Sequence, residues 1–222
     1  MNSPVKLVIF DWDGTLFDSV GQIVASLQFA AQQFAQPLTD ADAKSIIGLG
    51  LPEVAQRLFP SVPELHTEIL KSYADHYVAN SKGDMWFAGV AEMLQELKDA
   101  GLQLAVATGK SRKGLDRVLN QTQSRELFSA TRAASETKSK PDPLMLSEIL
   151  LETGVTAEQA IMVGDTSYDL EMAQNIAMPR IGVSYGVHSI ETLNHYKPLH
   201  IAPSVKNLSD FLLNHAALRE AG

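Results

Sequence analysis

Four short apolar runs punctuate the chain: KLVIF (6–10), LQLAVAT (102–108), AIMVG (160–164) and RIGVS (180–184). The stretches between them carry apolar residues at helical spacing. Strand–helix alternation of this kind reads as a parallel sheet wrapped by helices. SATRA (129–133) is a weaker run and a further strand candidate. Between runs, Val90, Met93, Leu94 and Leu97 form one stripe of a helix expected over 88–100. Another helix is expected to open at Pro143, with Asp142 as its cap, and to end at Gly154.

One region breaks the alternation. From about 18 to 82 no strand pattern occurs, and helical patterns follow one another. The first carries Val20, Val24, Leu27, Ala31 and Phe34 at helical spacing, and others run over 40–47, 52–59 and 63–80. A helical block between the first strand and the next helix–strand pair reads as an inserted domain. The expected division is a core of residues 1–16 and 84–222 with an insert of residues 17–83. At 222 residues the chain can hold both.

Composition removes several classes of function. A net charge of −8 argues against general affinity for nucleic-acid backbones or anionic membranes. The absence of cysteine removes disulfides, thiolate metal sites and a cysteine nucleophile. LVIF is too short for a signal-peptide core, and no apolar run approaches a membrane span, so a cytoplasmic location is expected. The triplets NQT at Asn120 and NLS at Asn207 are read as chance matches to a glycosylation pattern. The six histidines show no metal spacing and are read as structural or surface residues.

In a parallel sheet, ligands bind outside the carboxyl ends of the strands. Asp11 follows LVIF, Thr108 follows LAVA and Asp165 follows IMVG, so three polar residues emerge on one edge. Each alone is ordinary loop chemistry, and Asp-x-Asp-Gly is also a common turn. A calcium loop is excluded, because its third acid, its sixth-position glycine and its twelfth-position glutamate would fall on Thr15, Leu16 and Gln22. Asp13 lies two residues after Asp11, and Asp169 lies about one helical turn after Asp165. Four carboxylates gathered in one cleft repel one another unless a cation sits among them. All-oxygen ligation without histidine or cysteine favours Mg²⁺. Lys140, in KSKPDP, can add one positive charge, or it is an exposed loop lysine.

The ordered set DWDGT (11–15), Thr108 after a strand, Lys140 before Pro141 and GDTSYD (164–169) resembles the haloacid dehalogenase superfamily in its phosphatase branch. The resemblance spans essentially the whole chain and is nearest to phosphoglycolate phosphatase-type and β-phosphoglucomutase-like enzymes. It implies an α/β fold, a Rossmann-like parallel-sheet core with an inserted α-helical cap domain. It also implies a Mg²⁺-dependent phosphatase acting on a small phosphorylated metabolite through an aspartyl phosphate. On that resemblance Asp11 is the nucleophile, and Asp13 is the acid that protonates the leaving oxygen and then the base for water. Asp11, Asp165 and the backbone carbonyl of Asp13 would bind Mg²⁺, with Asp169 ligating directly or through water. Thr108 and the backbone amides of Gly109 and Trp12 would hold phosphoryl oxygens, and Lys140 would offset their charge. Trp12 would matter through its backbone more than its ring. Dehalogenases of this kind lack the second aspartate, so Asp13 favours phosphate chemistry.

The stretch GLGLPE (48–53) resembles the cap loop that contacts substrate, through Gly48, Leu49 and Gly50; it also reads as a plain helix–helix turn. β-Phosphoglucomutase-like enzymes tend to carry an arginine there, where this chain has Leu51-Pro52, so a mutase is the alternative rather than the first reading. A non-catalytic binding module on the same fold would be marked by a lost catalytic residue, and none is missing. Lys110 is the nearest cation for a substrate carboxylate, with Arg112 and Lys113 read as a solvated helix start. Hinges of the insert are expected near 16–19 and 81–87.

Overall fold

The computed structural model describes residues 4–81 and 85–217, with side chains to 214. The expected boundary at 83–84 and the side chain of His215 lie outside the described residues. Six strands form one sheet: β1 (Leu7–Phe10), β2 (Gln103–Thr108), β3 (Ala130–Ala133), β4 (Ala160–Gly164), β5 (Arg180–Val183) and β6 (His200–Ala202). Every adjacent pair is parallel, and the order β3-β2-β1-β4-β5-β6 puts the first strand at the centre. β1 is flanked by β2 and β4, which makes its carboxyl end the point where the strand order reverses.

Alternation along β1 explains why the run is apolar throughout. Val8 and Phe10 enter one core cluster, while Leu7 and Ile9 enter a second on the opposite face. The first cluster is closed by α5 (Val90–Asp99) and by Leu208 and Leu212 of the C-terminal helix, Val205–Ala217. Val90, Met93, Leu94 and Leu97 are all buried there, as the stripe requires. The second is closed by Met145, Leu146 and Ile149 of α7 (Leu144–Thr153) and by Met172 and Ala173 of α8 (Ser167–Gln174). α7 begins one residue later than expected. Asp142 still takes the Leu144 N–H at 3.0 Å, and Gly154 ends the helix at a φ of 68°.

Four helices separate β1 from α5: α1 (Val20–Gln33), α2 (Asp40–Ser45), α3 (Leu51–Leu58) and α4 (His66–Asn80). They build apolar clusters of their own around Leu27, Ile46, Val54 and Ile69. The expected helix over 63–80 divides into a tight turn, Pro63–Leu65, and α4. The two connections to this block run side by side. Asp18 N–H donates to the Met85 carbonyl (2.8 Å), and Phe87 N–H donates to the Leu16 carbonyl (3.1 Å). The Trp12 ring is wholly buried at this crossing. It packs on Phe17, Trp86 and Phe128 with centroids 5.4, 5.1 and 6.2 Å away.

β6 was not foreseen. It is three residues long, opens on a histidine and lies at the sheet edge, so it offers no run long enough to show a period.

Candidate active site

Strand ends position the acidic residues. Asp11 is the first residue beyond β1, and its N–H still donates to the Val163 carbonyl of β4 at 2.9 Å. Asp165 is the first beyond β4, and Thr108 is the last of β2. All three are buried. Asp169 arrives by a different route, in the first turn of α8, where its Oδ2 accepts the N–H (3.1 Å) and hydroxyl (2.7 Å) of Thr166. A carboxylate there satisfies an otherwise orphaned amide and meets the positive end of the helix.

Oxygens of Asp11, Asp165 and Asp169 lie within 4.8 Å of one another. Asp165 Oδ1 accepts from the Thr15 hydroxyl (3.0 Å), and its Oδ2 accepts from Val187 N–H (2.8 Å). Gly14, at φ +83°, leaves room for that carboxylate: a Cβ there would collide with Asp165. Lys140, on the loop between β3 and α7, is buried and not an exposed loop lysine. Its Nζ lies 2.7 Å from Asp11 Oδ1 and 2.6 Å from Asp169 Oδ1.

One ammonium does not balance three buried carboxylates. Burial raises the Asp11 carboxyl well above the usual carboxylate range; Lys140 opposes the rise, and Asp169 and Asp165 add to it. Asp165 is pushed up to about 7, by burial first and by Asp169 next. Burial disfavours the charge on Lys140, but Asp11 and Asp169 outweigh it and hold the ammonium above its ordinary value. Asp11 Oδ2 is buried with no hydrogen-bond partner. An orphaned carboxylate oxygen in an all-oxygen cluster of excess negative charge suits a hard cation such as Mg²⁺.

Asp13 stands apart from this cluster. Its Oδ1 accepts from the Ser19 hydroxyl and pairs with Lys110 Nζ at 2.8 Å. Burial works against the Lys110 charge, but Asp13, Tyr77 and Tyr73 outweigh it and hold the ammonium above its ordinary value. Lys110, expected to meet a substrate carboxylate, is thus already engaged by a protein carboxylate. Arg112 is not simply solvated: it grips Glu136 and donates to the Thr131 carbonyl (3.1 Å), while Lys113 is exposed.

The Gly48–Gly50 turn lies against the sheet edge. A Cβ on Gly109 would meet the carbonyl oxygens of Leu49 and Gly48 at 2.5 and 2.6 Å, so only glycine admits this approach. Gly50 N–H donates to the Ser139 hydroxyl (2.8 Å), one residue before Lys140. Tyr168, on α8, donates to the Ser45 carbonyl (2.8 Å) and accepts from Arg57 (3.0 Å). Behind the turn lies a cavity of about 560 Å³ between α1, α3 and α4 on one side and the start of α6 (Arg112–Gln121) on the other.

Sequence reasoning missed Thr15, Ser19, Thr166, Tyr168, Tyr77 and Arg117. Thr166 had a local signal, a hydroxyl three residues before a carboxylate at a helix start. Tyr77 and Arg117 had none, because they meet only in the folded chain, forty residues apart in sequence. Among the described histidines, His188 accepts from Ser167 N–H at its Nδ1 (2.9 Å), and none joins the carboxylate cluster.

A family model described as haloacid dehalogenase-like hydrolase matches residues 8–183. The chain is 30% identical over 221 residues to a phosphoglycolate phosphatase of Vibrio cholerae, covering 94% of this chain and 97% of that protein. It is 33% identical over 199 residues to the "Probable phosphatase IndB" of Dickeya dadantii, covering 86% of each. The crystal structure of a "predicted phosphatase" from Clostridium acetobutylicum matches with a TM-score of 0.84 and 28% identity, over 96% of this chain and 100% of that one. No described helix is long and apolar enough to cross a membrane.

Proposed function

Because the chain belongs to the haloacid dehalogenase-like hydrolases, we propose that it is a Mg²⁺-dependent phosphatase of small phosphate monoesters, phosphoglycolate phosphatase-like, that works through an aspartyl phosphate on Asp11. One observation carries this reading. Asp11 is a buried carboxylate with one oxygen held by Lys140 and the other without a donor, and the paired carboxylate Asp13 lies two residues on.

In the first step an Asp11 oxygen forms a bond to phosphorus while the ester P–O bond breaks. Asp13 gives its proton to the leaving oxygen, which departs as an alcohol. In the second step Asp13 takes a proton from water, the water oxygen bonds to phosphorus, and the Asp11–phosphorus bond breaks to release inorganic phosphate. Lys140 holds Asp11 in place and offsets negative charge that gathers on the phosphoryl group. Thr108 and the amides of Gly109 and Trp12 are assigned to the phosphoryl oxygens. Asp11, Asp165, Asp169 and the Asp13 carbonyl would hold Mg²⁺, which supplies charge neutralisation and orientation to the phosphoryl group when bound. Residues 17–83 are assigned as the cap and 1–16 with 84–222 as the core.

The test is a panel of phosphate esters with Mg²⁺ or with EDTA, scored for inorganic phosphate and for phosphorylated product. Free phosphate released only with metal, and lost in Asp11→Asn, is the expected result. A phosphorylated isomer as the main product would overturn hydrolysis in favour of a mutase, and full activity after exhaustive chelation would overturn the metal.

A further inference from the structure

The cavity beside Asp13 is larger and more apolar than a short glycolate leaving group requires. At ~30 Å³ per water, 560 Å³ corresponds to roughly nineteen waters. Ile23, Leu27, Ile47, Leu49 and Val54 line it, with Tyr77 from α4. Such a wall stabilises an apolar body and repays little to a small polar one.

Two polar atoms on residues of this lining have no hydrogen-bond partner. The Tyr77 hydroxyl and Arg117 Nε are both buried and make no hydrogen bond. The Arg117 guanidinium lies 5.3 Å from the Tyr77 ring centroid, a cation over an aromatic face. Every other nearby charge is occupied or exposed. Lys110 pairs with Asp13, Asp75 pairs with Lys71, and Lys113 is exposed. Among the described residues, no carboxylate pairs with Arg117. Buried donors left unpaired cost free energy, and a ligand acceptor that fills them regains it.

We infer that Arg117 and the Tyr77 hydroxyl recognise an anionic group on the substrate's leaving group, and that the apolar cavity beside them takes a body longer than glycolate. The substrate class is therefore a phosphate monoester whose leaving group is bulky and largely apolar and bears an anionic group. The inference rests on the phosphatase reading and refines its substrate. Arg117 acts as a specificity-determining residue, because its half-buried guanidinium offers a carboxylate or second phosphate a bidentate partner.

The test uses two ester pairs that differ in a carboxylate: ethyl phosphate with phosphoglycolate, and phenyl phosphate with 4-carboxyphenyl phosphate. Values of kcat/KM with Mg²⁺ give a charged-to-uncharged ratio for each pair. Comparing that ratio between variants cancels the intrinsic reactivity of each leaving group. Arg117→Met is expected to lower the aryl ratio about tenfold, as loss of a charge-assisted contact predicts, and Tyr77→Phe to lower it a few-fold. Neither should move the short-pair ratio. An aryl ratio unchanged in both variants, or a short-pair ratio that falls equally, overturns the inference while leaving the phosphatase intact. If no ester releases phosphate, the phosphatase reading falls first and this inference with it.

Discussion

Replacing Lys140 with Met removes the ammonium bonded to both Asp11 and Asp169 while keeping an unbranched stem of similar bulk. At 2.7 and 2.6 Å and an effective dielectric near 20, each contact is worth about 6 kcal/mol before desolvation. Taking the ammonium out of water returns several kcal/mol per ion, and breaking a buried pair typically costs about 3–5 kcal/mol net. We expect Lys140→Met to lose about that much stability in EDTA at pH 8. The variant can escape by protonating its carboxyls, which fixes the sign of the pH dependence. Burial already raises Asp11, and losing Lys140 removes the main influence that lowers it. A carboxyl whose folded pKa exceeds its unfolded value stabilises the fold at low pH, and that contribution is lost as pH rises through the interval. For Asp165 the interval runs from about 4 to about 7. The deficit should therefore be smaller at pH 5 than at pH 8, and saturating Mg²⁺ at pH 8 should recover about 2–3 kcal/mol at a hundredfold excess over Kd. Urea unfolding at both pH values, with EDTA and with Mg²⁺, measures all three. A variant as stable as wild type in EDTA at pH 8, or a deficit indifferent to both pH and Mg²⁺, refutes the charge argument.

Gly109→Ala should push the Leu49 and Gly48 carbonyls off the sheet edge, at about 1–3 kcal/mol of overpacking. Thermal unfolding and the spread of kcat/KM across esters should both change; an unchanged spread means the turn does not select substrate. Tyr168→Phe removes the hydroxyl that joins α8 to Ser45 and Arg57, a loss of up to about 1 kcal/mol. Amide exchange should quicken in α2 and α3 and not in α8; equal protection throughout refutes the tie. Asp13→Asn should slow the single-turnover burst by about 10²–10⁴-fold for alkyl phosphates and far less for nitrophenyl phosphate, whose leaving group needs no proton. Equal slowing of both would remove Asp13 as the acid.

What was legible in the sequence follows from locality. β1, β2, β4 and β5 are runs buried on both sheet faces, so their composition alone announced them. SATRA was weak because Thr131 and Arg132 are only half buried at the sheet edge, yet it is β3. Asp11, Thr108 and Asp165 could be gathered in advance because strand ends of a parallel sheet share an edge by construction. The partners of Asp13 could not. Lys110 looked available because nothing local showed that its side chain turns back onto Asp13, and Arg112 looked solvated because Glu136 lies twenty-four residues away. Arg117 drew no notice at all, since its significance lies in an orphaned nitrogen and a contact with Tyr77 across the chain.

The two aspartates that open the chain sit two residues apart, yet the fold gives them different neighbours and different counter-charges. Asp11 turns into the cluster with Asp165 and Asp169 and is held by Lys140. Asp13 is held by Lys110 and Ser19 and lines the large cavity, whereas Asp11, Asp165 and Asp169 are not among the residues that line it. A phosphate ester has the same polarity: a highly charged phosphoryl end and a leaving group of some other character. On the proposed reading, with the phosphoryl end at the carboxylate cluster, the leaving group would point into the cavity, and the carboxyl it would meet at the boundary is Asp13. A group at that boundary can reach the bridging oxygen, which is where a proton is needed when the ester bond breaks. A group inside the cluster, crowded by two other carboxylates, is suited to attack phosphorus. The partition of one short turn between two environments thus supports the proposed division, with the attack given to Asp11 and the proton to Asp13.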